Sequence, residues 1–219
     1  MTFPKARKGV RLIFISELIA VLVSLLGILS STFTLLADAG VDFTVGLDIF
    51  LILIIVELSI PLICFVIRII GTFIASNDEP YFKNALFIDL FAMIINVAEL
   101  LLVALINDKD TSLAQAILDA VIDGSSVAVM IYIIIGVSVL AQDLGYEKFA
   151  SRGNILIKFL VAICAFSIFM LFFRHFFPNP SITMLEVLSY IEFFGSLFEV
   201  ILYLLFVIYL ARSLLILKK

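Results

Sequence analysis

Six long apolar runs, separated by short polar turns, take up most of this chain. A transmembrane helix needs about 20 mainly apolar residues, and each run is longer than that. Within a run the apolar residues are continuous and do not alternate with polar ones, which argues against a membrane β-barrel. The pattern predicts six transmembrane helices, at residues 12–36, 45–74, 85–106, 113–140, 155–177 and 182–217.

The composition agrees with burial of the chain in lipid. Of the 219 residues, 64% are hydrophobic and 15% are charged, and the mean hydropathy is +1.28, whereas soluble domains are roughly half apolar. No long linker and no low-complexity segment interrupts the six runs. We therefore predict an all-α integral membrane protein in which residues 1–219 form a single transmembrane domain, a six-helix bundle.

The basic residues predict how the bundle is oriented. Lys and Arg are enriched in cytoplasmic segments, and six spans place both termini on one side of the membrane. With both termini in the cytoplasm, only Lys109 and Arg174 of the 14 basic residues fall on the outer side. We therefore predict a multi-pass protein of the cell membrane, plasma or inner. The bases on the cytoplasmic side are Lys5, Arg7, Lys8, Arg11, Arg68, Lys83, Lys148, Arg152, Lys158, Arg212, Lys218 and Lys219.

The two internal cytoplasmic turns resemble each other. Pairing Ile69 with Ile134 aligns the pattern I-I-G, six residues, D-x-x-Y-x-K-x-A in both turns. A duplication of helical hairpins would explain the match, and so would similar constraints on two cytoplasmic turns. The matched residues are Ile69, Ile70, Gly71, Asp78, Tyr81, Lys83 and Ala85 in one copy and Ile134, Ile135, Gly136, Asp143, Tyr146, Lys148 and Ala150 in the other.

Several carboxylates interrupt the apolar runs. A charged side chain at the middle of a membrane costs about 2.5–3.5 kcal/mol on insertion scales, so such acids normally face the bundle interior or a wet cavity. Glu57, Glu99 and Glu199 are the hardest to explain otherwise, and they form our candidate ion- or substrate-binding site. Secondary candidates, which share helix faces with one another or with these acids, are Asp119, Asp123, Glu192 and Asn96.

Pro61 follows Glu57 by four residues. Proline cannot donate the backbone hydrogen bond that the carbonyl of Glu57 would accept, so we predict a helix kink and a free carbonyl beside a carboxylate. Kinked helices at the midplane are common places for ion and substrate sites. The alternative is a packing kink beside a protonated glutamic acid that hydrogen-bonds to a neighbour.

The basic residues inside the spans are too few to neutralise these acids. We expect Arg68 and Lys158, near the inner boundary, to extend their charged ends toward water. An acidic vestibule that opens outward would then attract cations, protons or amine-bearing solutes. The alternative for the acids nearest the outer ends is contact with a wet interface, and these are Asp48, Asp119, Asp123, Glu186 and Glu192.

Catalytic and metal-binding patterns are missing from the sequence. The single histidine, His175, adjoins Arg174 in an aromatic stretch, and Cys64 and Cys164 lie inside apolar runs without metal-ligand spacing. No motif of an intramembrane protease, a zinc enzyme or a phosphate-binding loop is present. We predict no catalytic residue, no metal and no cofactor. Nucleic acid is excluded as a partner because the bases follow the membrane boundary.

Three functions fit these features. The leading hypothesis is a small transport or channel-type protein with an intramembrane carboxylate site for a cation, a proton or an amine-bearing solute. The second is a non-catalytic membrane subunit of a larger complex, including the substrate-capturing subunit of an importer. The third is a lipid-acting membrane enzyme. The expected partners are the lipid bilayer and a membrane protein, either a different one or a second copy of this chain.

Overall fold

The computed structural model describes residues 2–38, 46–105, 112–176 and 182–218. Within these ranges, some positions are described by their backbone alone. They are residues 25–38, 46–58, 100, 102–105, 112, 174–175, 182–183, 185–186 and 192.

Six helices make up the described chain, and no strand is found in it. Long apolar runs form helices in a membrane because a helix satisfies its backbone hydrogen bonds within one segment. The all-helical prediction is confirmed, and apart from terminal residues each predicted run lies within one helix. The helices are α1 Pro4–Asp38, α2 Gly46–Ala75, α3 Tyr81–Leu105, α4 Ser112–Asp143, α5 Glu147–Phe176 and α6 Ile182–Ile216.

Four helices of the described chain contain a stretch long and apolar enough to cross a membrane, as in a membrane-embedded protein. These stretches are Tyr81–Glu99, Leu113–Asp143, Glu147–Phe173 and Val187–Ile216, and a shorter apolar stretch covers Ser59–Ala75. The total of six spans and the side of the membrane that carries the termini remain predictions.

The helices pack side by side into a closed ring. Each helix contacts the next one along the chain, α6 contacts α1, and α4 also contacts α6. A hydrophobic core fills the end of the ring that carries both chain termini, which we call the terminal end. Its fully buried side chains include Val10, Ile13, Phe82, Ile133, Ile134, Val137, Leu140, Phe206 and Leu210.

The turn between α4 and α5 depends on a glycine. Gly145 adopts φ 82°, its N–H donates to the carbonyl of Gln142 at 2.8 Å, and the N–H of Tyr146 donates to the carbonyl of Ala141 at 2.8 Å. This is the Schellman arrangement, in which a left-handed residue ends the helix and satisfies its last carbonyls. Glycine suits the position because it has no Cβ. As a result, α5 begins at Glu147, directly after the turn.

Gly71 and Gly136, which pair in the sequence repeat, each lie at a close approach of two helices in a hairpin. A Cβ on Gly71 in α2 would lie 3.0 Å from the side chain of Ile13 in α1, and one on Gly136 in α4 would lie 2.8 Å from the ring of Phe82 in α3. Both glycines therefore let the helices of their hairpin pack closely.

Asp78 and Asp143, which are aligned with each other in the sequence repeat, also lie at the terminal end. The Oδ2 of Asp78 accepts a hydrogen bond from the backbone N–H of Ala6, near the start of α1, at 2.7 Å. Asp143 lies within electrostatic range of Glu79, just before the start of α3. These correspondences favour duplication of a hairpin, which remains a hypothesis.

Candidate functional site

An ion-pair network joins three helices inside the ring. Arg68 of α2 donates from Nε to Oδ2 of Asp89 at 2.9 Å and from Nη2 to Oδ1 at 2.6 Å, which ties α2 to α3. Its Nη1 lies 3.5 Å from Oε1 of Glu17 on α1. The planar guanidinium fits a carboxylate in this forked geometry. Arg68 is thus paired mainly with Asp89 and reaches Glu17 by a longer contact.

The two carboxylates are more buried than the arginine between them. The side chains of Glu17 and Asp89 are 5% and 4% exposed, and that of Arg68 is 29% exposed. The guanidinium also lies 5.7 Å from the centre of the Phe65 ring, within cation–π range. The prediction that Arg68 extends toward water is therefore wrong, because two buried carboxylates hold it inside the ring. Lys158, in contrast, is exposed.

Tyr203 adds α6 to the network. Its hydroxyl donates a hydrogen bond to Oε2 of Glu17, so Glu17 has a neutral donor on one oxygen and a more distant cation near the other. One arginine faces two acids in this cluster. When all three groups are ionised, the cluster carries an excess of one negative charge, and the geometry leaves most of that excess on Glu17.

A cavity of about 260 Å³ adjoins the network. Its wall comes from α1, α2 and α6, and Asp89 does not belong to it. Glu17 is therefore the carboxylate that a ligand in the cavity would meet. The lining residues are Ser16, Glu17, Ala20, Pro61, Cys64, Phe65, Arg68 and Tyr203.

A fully buried layer separates the network from the terminal end. Residues three or four apart in a helix lie on the same face. Each network residue has, one helical turn closer to the terminal end, a neighbour that is at most 1% exposed. This fully buried layer, which we call the dry layer, packs against the network and separates it from the terminal end. Its members are Ile13 next to Glu17, Thr72 next to Arg68, Ala85 next to Asp89 and Phe206 next to Tyr203.

The described predicted acids of α3, α4 and α6 do not line the cavity, and they lie within hydrogen-bonding or electrostatic range of one another. Glu99 hydrogen-bonds to Asp119, and Asp123 lies within electrostatic range of Asp119 and Glu199. Glu199 accepts a hydrogen bond from Ser167 of α5. The structure therefore places Glu99 and Glu199 at the two ends of one acidic series.

The remaining predicted site residues differ in how they relate to the cavity. The side chains of Glu57 and Glu192 lie outside the described part of the chain, so convergence of the three glutamates remains a prediction. Pro61 lies inside α2 and lines the cavity, about 6 Å along the helix from Glu57. Asn96 is exposed, and its Nδ2 donates to the carbonyl of Ala92 at 2.9 Å.

The network has one signal in the sequence, the common depth of its members. Glu17, Arg68 and Asp89 all fall near the inner ends of the first three predicted spans, and a base between two acids at one depth predicts pairing. Ranking acids by distance from the membrane surface selects Glu57 instead, because a charge at the midplane costs most.

Comparison with known proteins finds no family model, no curated protein and no solved structure that matches this chain. The lining of the cavity combines one carboxylate, an arginine already paired with Asp89, and mostly apolar surface. Such a lining can hold a small cation by charge and a small apolar group by contact.

Proposed function

We propose that this chain is a small transport protein that carries a cation, a proton or an amine-bearing solute across the membrane, with Glu17 as the binding group. The observation that supports this function is the position of Glu17, whose buried carboxylate faces the cavity while the nearest cation is paired with Asp89. Intramembrane carboxylates without a full counter-charge commonly mark ion and proton pathways.

Six spans, cytoplasmic termini and a location in the cell membrane belong to this proposal. The basic side chains near the terminal end support the orientation, because all of the described ones except Arg68 are exposed, as the positive-inside rule expects. They are Lys5, Arg7, Lys8, Arg11, Lys83, Lys148, Arg152, Lys158, Arg212 and Lys218.

In this proposal cations approach Glu17 from the half of the bundle that carries the acids farther from the terminal end. Pro61 lines the cavity, and Glu57 is one helical turn farther from the terminal end. The acidic series from Glu99 to Glu199 lies in that same half of the bundle, away from the terminal end. A cleft lined by one sign of charge raises the local concentration of the opposite ion. The dry layer closes the other side, so release toward the terminal end requires a packing change that opens this layer.

Transport is tested with the purified full chain in liposomes. Under an imposed membrane potential, uptake of protons, sodium and ethylammonium is measured against protein-free liposomes. Glu17→Gln keeps the shape and hydrogen-bonding capacity of the side chain but removes its charge, so we expect it to abolish uptake. Glu147→Gln is the matched control, because Glu147 is exposed in the first turn of α5.

Two results would contradict the proposal. Equal uptake by Glu17→Gln and Glu147→Gln at equal protein incorporation would remove Glu17 from the pathway. No protein-dependent uptake of any of the three cations would reject transport of this class.

A second candidate is a non-catalytic subunit that packs against a helix of another membrane protein. The described side chains of α6 from Val187 to Ile201 are exposed on nearly every side, including those of Ser196 and Glu199. Small and acidic residues on an uncovered membrane face are typical of helix contacts. A partner crosslinked in native membranes should be lost with Ser196→Leu and retained with Ser126→Leu, which changes an exposed serine of α4.

A further inference from the structure

We infer that the cargo of the cavity is a small organic monoammonium compound with a compact apolar body, an inference that rests on the transport function proposed above. It follows from three properties of the lining: the number of hydrogen-bond acceptors in it, the apolar surface that makes up the rest of it, and the position of Arg68.

The acceptors match the donors of an ammonium group. The hydroxyl of Ser16 donates to the carbonyl of Ile13 at 2.7 Å, and the hydroxyl of Tyr203 donates to Glu17. Both hydroxyl oxygens keep lone pairs that can accept, and the Glu17 carboxylate accepts as well. An ammonium carries three N–H donors, and the three groups, all from residues that line the cavity, offer one acceptor for each.

The rest of the lining favours an organic cation over a metal ion. Hard metal ions take six or more oxygen ligands, and no group of three or more His, Cys, Asp or Glu residues converges in the described chain. Alongside its polar residues, the cavity instead presents Ala20, Pro61, Cys64 and Phe65. Apolar surface of this kind stabilises a hydrocarbon or aromatic body by removing it from water.

The charge and size of the cavity limit the cargo further. Arg68 lies in the wall and would repel a second positive group, so a diamine is disfavoured. The volume of about 260 Å³ lies just below the ~300–1,000 Å³ of sites for drug-sized ligands. The cavity therefore fits a single ring or a short chain that carries one amine.

Binding of benzylamine to the full chain in phosphatidylcholine nanodiscs, measured by calorimetry at neutral pH, tests this inference. Benzyl alcohol has the same body without the charge, and putrescine is butylamine with a second amine. We expect benzylamine to bind about 10- to 100-fold tighter than benzyl alcohol, because a charged hydrogen bond is lost in the alcohol. We also expect butylamine to bind tighter than putrescine. These comparisons use the unchanged protein and so do not depend on whether a variant folds.

Two pairs of variants locate the bound amine. Glu17→Gln should weaken benzylamine binding about 10- to 100-fold, and Glu147→Gln should leave it unchanged. Ala20→Leu fills part of the cavity and should weaken benzylamine binding, whereas Ala162→Leu adds the same group to an exposed position of α5 and should have no effect.

The outcomes separate the cargo from the function. Equal binding of benzylamine and benzyl alcohol, or no binding of either, would overturn the monoammonium cargo. If proton or sodium uptake still depended on Glu17 in that case, the transport function would stand with an inorganic cargo. If benzylamine did not bind and no cation uptake depended on Glu17, both the transport function and the monoammonium cargo would be rejected.

Discussion

Gly9 of α1 and Gly71 of α2 pack against each other at the point where the two helices cross. A Cβ on Gly71 would lie 2.8 Å from the carbonyl oxygen of Gly9, and one on Gly9 would lie 2.6 Å from the backbone nitrogen of Ala75. This contact holds the two helices that carry Glu17 and Arg68 at a fixed separation, so it supports the geometry of the cavity.

Gly9→Ala should destabilise the protein. The added methyl group meets backbone atoms of α2 that cannot move aside, and overpacking of this kind costs about 1–3 kcal/mol. Thermal unfolding in detergent micelles, followed by circular dichroism, measures the effect. Gly124→Ala is the control, because a Cβ there has no neighbour within 4 Å, and it should be neutral or stabilising by up to about 1 kcal/mol. Equal melting temperatures for the two variants would contradict the close crossing.

Asp89→Asn should destabilise the protein more than substitution of an exposed acid. Breaking a buried ion pair costs about 3–5 kcal/mol, and the 29% exposure of the Arg68 side chain places the expected loss at the lower end of that range. Asp143→Asn, at an exposed position, should change stability by less than about 0.5 kcal/mol. Replacing Arg68 and Asp89 together by leucine should recover part of the loss, since Arg68 is no longer left unpaired while Glu17 loses its longer contact with Arg68. If the double variant were no more stable than Asp89→Asn, the ion pair would stabilise the protein by more than compensation of buried charge.

Asp78→Ala should loosen the start of α1. The variant removes the acceptor for the N–H of Ala6, and loss of a side-chain cap costs about 0.5–2 kcal/mol. Hydrogen exchange of the Ala6 amide should accelerate while exchange in α5 stays unchanged. Asp78→Asn keeps an acceptor oxygen but removes the charge that favours a helix N-terminus, so its effect should be intermediate. Unaltered protection of Ala6 in Asp78→Ala would show that this hydrogen bond does not hold the helix start.

Glu79 should make stability fall as the pH rises. Burial raises the pKa of its carboxyl, the N–H of Tyr81 lowers it in part, and the negative charge of Asp143 raises it further, so that the pKa lies above its ordinary value. A raised folded-state pKa gives stability that is complete below the unfolded pKa of about 4.3 and is lost as the pH passes through the folded value. The melting temperature of the wild type, relative to that of Glu79→Gln, should therefore decline above about pH 4.3. Parallel pH profiles for the two proteins would contradict this linkage.

The six-span topology predicts which positions react from outside the cell. In a background without Cys64 and Cys164, an impermeant thiol reagent should label single cysteines at the outer turns of intact cells and leave those at the inner turns unlabelled. Permeabilised cells are the control, in which all positions should react. Labelling of both sets in intact cells, or the reverse pattern, would overturn the topology. The outer positions are Asp42, Lys109 and Asn179, and the inner positions are Asn77 and Ser151.

The sequence by itself determined the helices and their order. Each apolar run is long enough to form a helix that satisfies its own backbone groups, so runs such as residues 113–140 could be assigned without knowledge of any neighbour. Turn residues added the boundaries, since Gly145 ends α4 through a left-handed conformation that glycine adopts at low cost. These features depend on local interactions, which is why they are readable along the chain.

Tertiary structure alone decided which polar side chains meet. The helices are apolar on nearly every side, so hydrophobic periodicity did not indicate which face of each helix points into the ring. Contacts such as that of Gly9 with Gly71 set the rotation of α1 and α2, and this rotation brings Glu17 and Arg68 together. The cavity therefore presents Glu17, while convergence of Glu57, Glu99 and Glu199, expected from their depth, stays a prediction, because pairing and burial depend on the relative rotation of the helices and not on the position of a residue along one of them.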